Sequence, residues 1–132
     1  MSKHNCVFCK IANKQITSSI IYENQNNIAF LDINPAMLGQ VVVISKQHVT
    51  SDFKKVADNI LQETIVFTKK IALAVDRALN TRSCIVVEGF DIDHLHFKVY
   101  PTTKEKHLKI NPQISANLKD LESIKQKISK FL

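Results

Sequence analysis

The residues with the clearest chemical potential lie in one short segment, which runs from His94 to Tyr100. It reads His-Leu-His-Phe-Lys-Val-Tyr. Because side chains alternate between the two faces of a β-strand, His94, His96, Lys98 and Tyr100 share one face, and the apolar residues between them face the other way. Two imidazoles and an ammonium in a row are costly to bury without partners and suit an anion, especially phosphate. The segment predicts either a phosphate-handling site or the solvent-exposed polar face of an edge strand.

A second group with chemical potential lies near the N-terminus. Cys6 and Cys9 are separated by two residues at the start of a predicted short helix. This spacing lets two thiolates meet one metal ion, although the pair supplies only half of a tetrahedral site. A redox Cys-x-x-Cys motif is the alternative. The third cysteine, Cys84, lies in an apolar strand-like run and is predicted to be an ordinary buried thiol.

The elements that must position these residues can be read from apolar periodicity and from turn residues. β-branched runs bounded by turn signals predict strands, and apolar residues at helical spacing predict helices. Strands are predicted over 20–23, 28–33, 40–45, 84–88 and 94–100, and helices over 7–13, 54–79 and 115–131. The first two strands should form a hairpin. This order predicts an α+β fold, with helices packed on an antiparallel sheet.

Composition places the chain among small globular proteins. Its 132 residues fit one domain, and 45% are apolar, which is enough for a real core. No apolar run is long enough to cross a bilayer, and the polar N-terminus has no apolar signal region. An odd, low count of three cysteines does not indicate a disulfide scaffold. We therefore expect a cytoplasmic protein that does not bind a membrane.

The positive charge is concentrated at the C-terminal end. Residues 101–132 hold seven lysines and three acids, out of a net charge of +6 for the chain. We expect residues 1–105 to form the main domain and residues 106–132 a basic helical tail packed on it or extending it. Such a tail can attract nucleic acid, or it can be an ordinary solvated helix face.

Four motifs in order resemble the histidine triad (HIT) family. The segment His94-Leu95-His96-Phe97-Lys98-Val99 resembles the family's signature of three histidines at alternate positions. Residues 6–11 resemble the family's N-terminal Cys-x-x-Cys segment. Residues 27–35, which read Asn-Ile-Ala-Phe-Leu-Asp-Ile-Asn-Pro, resemble its second motif, and residues 39–49 resemble its third motif. The similarity covers residues 6–101, about three quarters of the chain.

The resemblance implies a fold and an activity. The fold is a five-stranded antiparallel sheet with a long central helix and a short N-terminal helix, to which this chain adds a C-terminal helix. The family usually forms homodimers, and we expect one built partly through the long helix and the strand after it. The implied activity is hydrolysis or nucleotidyl transfer at the α-phosphate of a purine nucleotide derivative, through a nucleotidyl-histidine intermediate.

The resemblance also implies roles for individual residues. His96 corresponds to the attacking histidine, with His94 and Lys98 beside it in the catalytic strand. Asp32 should bind the ribose hydroxyls, because a carboxylate accepts two hydrogen bonds from a diol. The other expected nucleotide contacts are Gln40 and the apolar residues of the base slot, Phe8, Ile11, Phe30 and Ile33. Several relatives bind zinc with four residues whose counterparts here are Cys6, Cys9, His48 and His94.

The chain departs from the family pattern at several positions. Lys98 stands in place of the third histidine of the triad. Gln40 stands where the family usually has a histidine, and Val87 where it usually has an asparagine. The stretch from Gly89 to His94 is also shorter than usual. A lysine keeps its proton near neutral pH, so Lys98 favours substrates with good leaving groups. Anhydrides such as dinucleoside polyphosphates should therefore be cleaved better than adenosine phosphoramidates. Two other functions stay open: a catalytically weak nucleotide-binding regulatory or adaptor protein, and a protein that processes nucleic-acid ends.

Overall fold

A computed structural model describes residues 5–109 and 115–132. The elements are helix α1 (Val7–Ala12), strands β1 (Ile20–Glu23), β2 (Asn27–Leu31) and β3 (Val41–Ser45), helix α2 (Asp58–Leu79), strands β4 (Cys84–Val86) and β5 (His96–Tyr100), and helix α3 (Leu118–Ser129). The strands form one antiparallel sheet in the order β1-β2-β3-β5-β4. The predicted α+β fold, with a five-stranded antiparallel sheet and three helices, is confirmed.

Several predicted boundaries were wrong by a few residues, each for a local reason. Strand β2 ends at Leu31 because the Asp32 side chain accepts a hydrogen bond from the Asn34 backbone and turns the chain. Helix α2 begins at Asp58, four residues later than predicted, because residues 53–55 form a separate 3₁₀ turn capped by Asp52. Strands β4 and β5 are shorter than predicted, since residues 87–95 leave the ladder to form the loop between them.

The face of the sheet that packs on α2 is an apolar core. It buries residues of the three central strands against the apolar stripe of the helix: Ala29, Val41, Val43, Leu95, Phe97 and Val99 with Phe67, Ile71 and Val75. The C-terminal end of α2 is fixed by Asp76, whose carboxylate accepts hydrogen bonds from Thr81 and Ser83 just before β4.

The opposite face packs on the six-residue helix α1. Alternate residues of β2 and β3 point to this side and bury Phe8 and Ile11 of the helix. Because so short a helix covers only part of the face, the rest is left for the polar side chains of β5. Strand β5 pairs with the central strand β3, where Lys98 lies opposite Val42 and His96 opposite Ile44. The catalytic candidates are therefore in the middle of the sheet, and not on an exposed edge strand.

Helix α3 is different from the other two helices. It has an apolar stripe at helical spacing, yet none of its residues is buried by the described part of the chain. The basic tail is thus helical over Leu118–Ser129, and its attachment to residues 1–105 stays a prediction. None of the helices in the described ranges is long and apolar enough to cross a membrane.

Candidate functional site

The four predicted metal ligands meet in one buried cluster. The ligand atoms of Cys6, Cys9, His48 and His94 all lie within 4.8 Å of one another. Cys9 Sγ is 3.1 Å from His48 Nδ1 and 3.5 Å from His94 Nδ1, Cys6 Sγ is 3.4 Å from His94 Nδ1, and the two Nδ1 atoms are 3.2 Å apart. Ligands of a tetrahedral zinc ion lie roughly 3.3–3.8 Å from one another. The donor set and its spacing therefore fit a single metal ion.

The orientation of His94 supports this fit. Its Nε2–H group donates to the Ser45 carbonyl oxygen at 2.6 Å, which leaves Nδ1 without a proton and facing the cysteines. Such a hydrogen bond from the far nitrogen is how metal-binding histidines are usually held. Burial lowers the pKa of His94 to about 4, so the ring is neutral at pH 7. One ring nitrogen thus faces the cluster and the other is bonded to Ser45, and the imidazole does not line the cavity beside the cluster.

His96 is the second buried histidine, and its ring points to a different place. Its Nδ1–H group donates to the His94 carbonyl oxygen at 2.6 Å, which leaves a lone pair on Nε2. Burial lowers the pKa of His96, so the neutral form dominates near pH 7. The Phe8 ring packs against the imidazole at 4.9 Å between ring centres. A neutral, oriented imidazole of this kind is a competent nucleophile.

A cavity of about 410 Å³ opens beside His96. Its wall contains seven of the predicted site residues, namely Phe8, Ile11, Phe30, Asp32, Ile33, His96 and Lys98. Phe8, Ile11 and Phe30 belong to one buried apolar cluster, in which the Phe8 and Phe30 ring centres are 6.0 Å apart, whereas Ile33 is exposed. An apolar slot next to a carboxylate, a lysine and a free imidazole nitrogen can hold a flat base, a ribose and a phosphate.

Gln40 lies behind the cavity wall instead of in it. The side chain is buried, and its Nε2 donates to Asp32 Oδ2 at 3.0 Å, while its Oε1 accepts from the Ala36 backbone at 2.8 Å. The other Asp32 oxygen accepts from the Asn34 backbone at 2.9 Å. Gln40 therefore fixes the orientation of Asp32, and any contribution to ligand binding acts through that carboxylate.

Lys98 has a partner that the sequence analysis missed. Its Nζ donates to Glu88 Oε1 at 3.1 Å, and both side chains line the cavity. The hydrogen bond from Lys98 lowers the pKa of Glu88. Burial would lower the pKa of Lys98, but the hydrogen bond to Glu88 and the nearby negative charges, first that of Glu88, together outweigh it, and the pKa is raised above its ordinary value. The pair is therefore fully ionised at neutral pH.

The loop that carries Glu88 is held in place by a close backbone approach. A Cβ atom at Gly89 would lie 2.2 Å from the Ser51 Cβ, so only glycine fits there. The Ser51 hydroxyl donates to the Gly89 carbonyl at 2.7 Å, and Asp93 accepts from the Ser51 backbone at 2.9 Å. These bonds fix the short β4–β5 loop. Val87, on the same loop, packs against the apolar core on the α2 side.

Other polar residues of the cavity also escaped the sequence analysis. Asp91 lines the wall, and so does Ser18, whose buried hydroxyl has no hydrogen-bond partner among residues 5–109 and 115–132. Glu88 stands immediately before Gly89 at the end of the predicted strand 84–88. This acid–glycine pair was a usable signal that Glu88 belongs to the loop beside the cavity. Ser18 had no comparable signal, since its place in the wall depends on how the segment after α1 folds back.

Fold and site together define a class: a small α+β protein in which one central strand carries a buried, oriented histidine beside a cavity of about 410 Å³ and a Cys₂His₂ cluster. A HIT domain model matches residues 13–105. The chain belongs to the HIT family.

Individual relatives agree with this assignment. An uncharacterised HIT-like protein of Borreliella burgdorferi is 32% identical over 87% of this chain and 99% of its own length. An adenosine 5'-monophosphoramidase of Saccharomyces cerevisiae is 31% identical over 76% of this chain and 65% of its own length. The crystal structure of SMU.412c from Streptococcus mutans superposes with a TM-score of 0.85 at 29% identity, covering 98% of this chain and 86% of that one. The family thus includes a nucleotide hydrolase.

Proposed function

We propose that this protein is a nucleotide hydrolase or nucleotidyl transferase that acts at the α-phosphate of a purine nucleotide derivative through a nucleotidyl-histidine intermediate. The observation that carries the proposal is the orientation of His96. Its Nδ1–H group is committed to the His94 carbonyl, so the nucleophilic lone pair is on Nε2, and the residue lines the cavity with Asp32 and Lys98.

The reaction has two steps. His96 Nε2 attacks the phosphorus, a P–N bond forms, and the bond to the leaving group breaks with its electron pair going to that group. Water or another acceptor then attacks the phosphorus. The P–N bond breaks, its electron pair returns to Nε2, and the proton lost by the water passes to the solvent. Asp32 holds the ribose, and Lys98, at the third triad position, stabilises the phosphoryl oxygens as a point charge.

We propose further that Cys6, Cys9, His48 and His94 bind a structural zinc ion. With four protein ligands such a site is closed, so the ion supplies no open position for catalysis. Its effect on the reaction is positional. His94 gives its Nδ1 to the cluster and its carbonyl oxygen to His96, so ordering the cluster also orders the nucleophile.

We also propose a cytoplasmic homodimer formed through α2 and β4. β4 is an edge strand with no pairing partner on one side among residues 5–109 and 115–132, and Leu73 and Leu79 of α2 are about half exposed. An exposed apolar helix face beside an open strand edge is a common dimer surface. Light scattering at micromolar concentration should give twice the monomer mass.

Nucleic-acid binding by the basic tail stays a prediction.

The proposed function is tested with the 4-nitrophenyl ester of AMP. His96→Ala should lower kcat by roughly 10³-fold or more while nucleotide binding changes little, because the residue acts as a nucleophile. Acid quenching of the wild-type reaction should trap the nucleotide on a histidine. His107→Ala, an exposed histidine outside the cavity, is the matched control and should keep full activity. Full turnover by His96→Ala would overturn the proposal.

A further inference from the structure

The cavity beside His96 is rich in negative charge for a phosphate site. Four of its lining residues are charged, the carboxylates Asp32, Glu88 and Asp91 and the single cation Lys98. These four side chains alone give the described wall a net formal charge of −2. A nucleotide therefore enters a site that already repels anions, and each further negative charge that it carries increases the repulsion.

The one lysine is not free to offset this charge. Lys98 Nζ lies 3.1 Å from the Glu88 carboxylate, and the two side chains are only 29% and 38% exposed. A partly buried pair of this kind is screened less by solvent than a surface pair. A phosphate that is to use Lys98 must share it with Glu88 or displace that carboxylate. Sharing suits a phosphate with one negative charge, whereas a chain of phosphates brings more charge than one shared lysine can balance.

We propose that Glu88 is a specificity-determining residue that selects nucleoside 5′-phosphates with a single negative charge and rejects polyphosphates. The inference rests on the proposed function and names its substrate class. Suitable substrates carry one substituent that adds no further charge, as in a phosphate ester, an amidate or a mixed anhydride with a carboxylic acid. This opposes the sequence-based expectation that Lys98 favours dinucleoside polyphosphates, because that expectation took Lys98 without its partner Glu88.

The test compares two adenosine compounds whose charges differ. The singly charged substrate is the 4-nitrophenyl ester of AMP, and the highly charged one is diadenosine tetraphosphate. Wild type should prefer the ester in kcat/KM. Glu88→Gln keeps the shape of the side chain and removes its charge, so it should raise kcat/KM for the tetraphosphate by about tenfold more than kcat/KM for the ester, and the wild-type preference should shrink by that factor.

Two further variants separate charge from shape. Glu88→Asp keeps the charge and should keep the wild-type preference. Glu122→Gln removes one negative charge from the exposed helix α3 and should leave both rates unchanged, which excludes an effect of net charge alone. An unchanged preference in Glu88→Gln, or an equal rise for both substrates, would overturn the inference.

Binding measurements keep this inference distinct from the proposed function. Calorimetry with the methyl ester of AMP and with ATP measures discrimination without any turnover. Binding of the methyl ester together with weak ATP binding that improves about tenfold in Glu88→Gln would support the charge selection even if no histidine adduct formed. Equal affinity for both ligands in wild type would contradict it even if His96 proved to be the nucleophile. If neither ligand bound, both proposals would fail.

Discussion

The two faces of strand β5 are built on different principles. On the α2 side, Leu95, Phe97 and Val99 are buried in an apolar core under a 22-residue helix. On the α1 side, His96 and Lys98 face a cavity under a helix of only six residues. The first face is held by apolar burial, which is indifferent to direction. The second is held by directed bonds between named atoms, which fix geometry at a smaller gain in stability.

The comparison explains why the site tolerates a row of polar side chains in the centre of a sheet. The imidazoles of His94 and His96 donate hydrogen bonds to backbone carbonyl oxygens, and the Lys98 ammonium donates one to Glu88. Because each has a partner, the cost of burying it is largely offset. The rigid apolar face behind them holds β5 in place, so function on one face depends on packing on the other.

Neighbouring residues of β5 give the sharpest test of this division. Phe97→Ala should lower the free energy of unfolding by about 3–5 kcal/mol, because it removes a fully buried ring from the core. His96→Ala should lower it far less while abolishing turnover. Urea denaturation of both variants measures the difference. If His96→Ala proved as destabilising as Phe97→Ala, the α1 face would be structural core and the division would be wrong.

Zinc should stabilise the α1 face selectively. If the cluster binds zinc only in the folded state, the free energy of unfolding should rise by about 2.7 kcal/mol when free zinc reaches a hundred times its Kd. Cys9→Ser should lose this dependence, whereas Cys84→Ser, the third cysteine, should keep it. Thermal unfolding across a zinc titration measures the effect. The zinc proposal would be contradicted if the free energy of unfolding did not change with zinc concentration and elemental analysis found no metal in the purified protein.

Asp76 offers a test on the α2 side, where a polar group fixes the end of the helix. Burial would raise the pKa of Asp76, but hydrogen bonds from Ser83 and Thr81 outweigh it, and the pKa is lowered below 3.8. The stabilisation is therefore present above that value and is lost as the pH falls through the folded-state pKa. Asp76→Asn should cost about 1 kcal/mol at pH 7 and progressively less in acid. A pH-independent difference from wild type would contradict this assignment.

Gln40 should show the most restricted effect, on the binding of ligands that have a ribose diol. Gln40→Met keeps the volume but removes the hydrogen bond to Asp32, so the carboxylate loses its fixed orientation. Nucleotide binding should weaken by about tenfold, the cost of one charged hydrogen bond. The 2′,3′-dideoxy analogue is the matched control and should bind wild type and variant equally. An equal loss for both ligands would mean that Gln40 supports the cavity as a whole.

The sequence by itself determined the strand pattern, the α+β class and the separation of His96 from Phe97 onto opposite faces. Period-2 alternation and helical spacing are local properties of the sequence. They match the folded structure because each apolar residue on the buried face adds to the stability of the fold. Resemblance to the HIT family added Asp32 and the remote ligands His48 and His94, which no local pattern could have linked to the cysteines. Boundaries were less accurate, because caps such as Asp52 decide them.

Only the tertiary structure decided which nitrogen of His94 and of His96 carries the proton, since that depends on the backbone carbonyls of Ser45 and His94. The tertiary structure also decided that the Gln40 side chain donates a hydrogen bond to Asp32 and that Glu88 forms an ion pair with Lys98. These contacts join residues that differ widely in sequence separation and share no periodicity. The sequence shows Lys98 as a charge that could bind phosphate, whereas the fold places it 3.1 Å from a carboxylate that competes for the same charge.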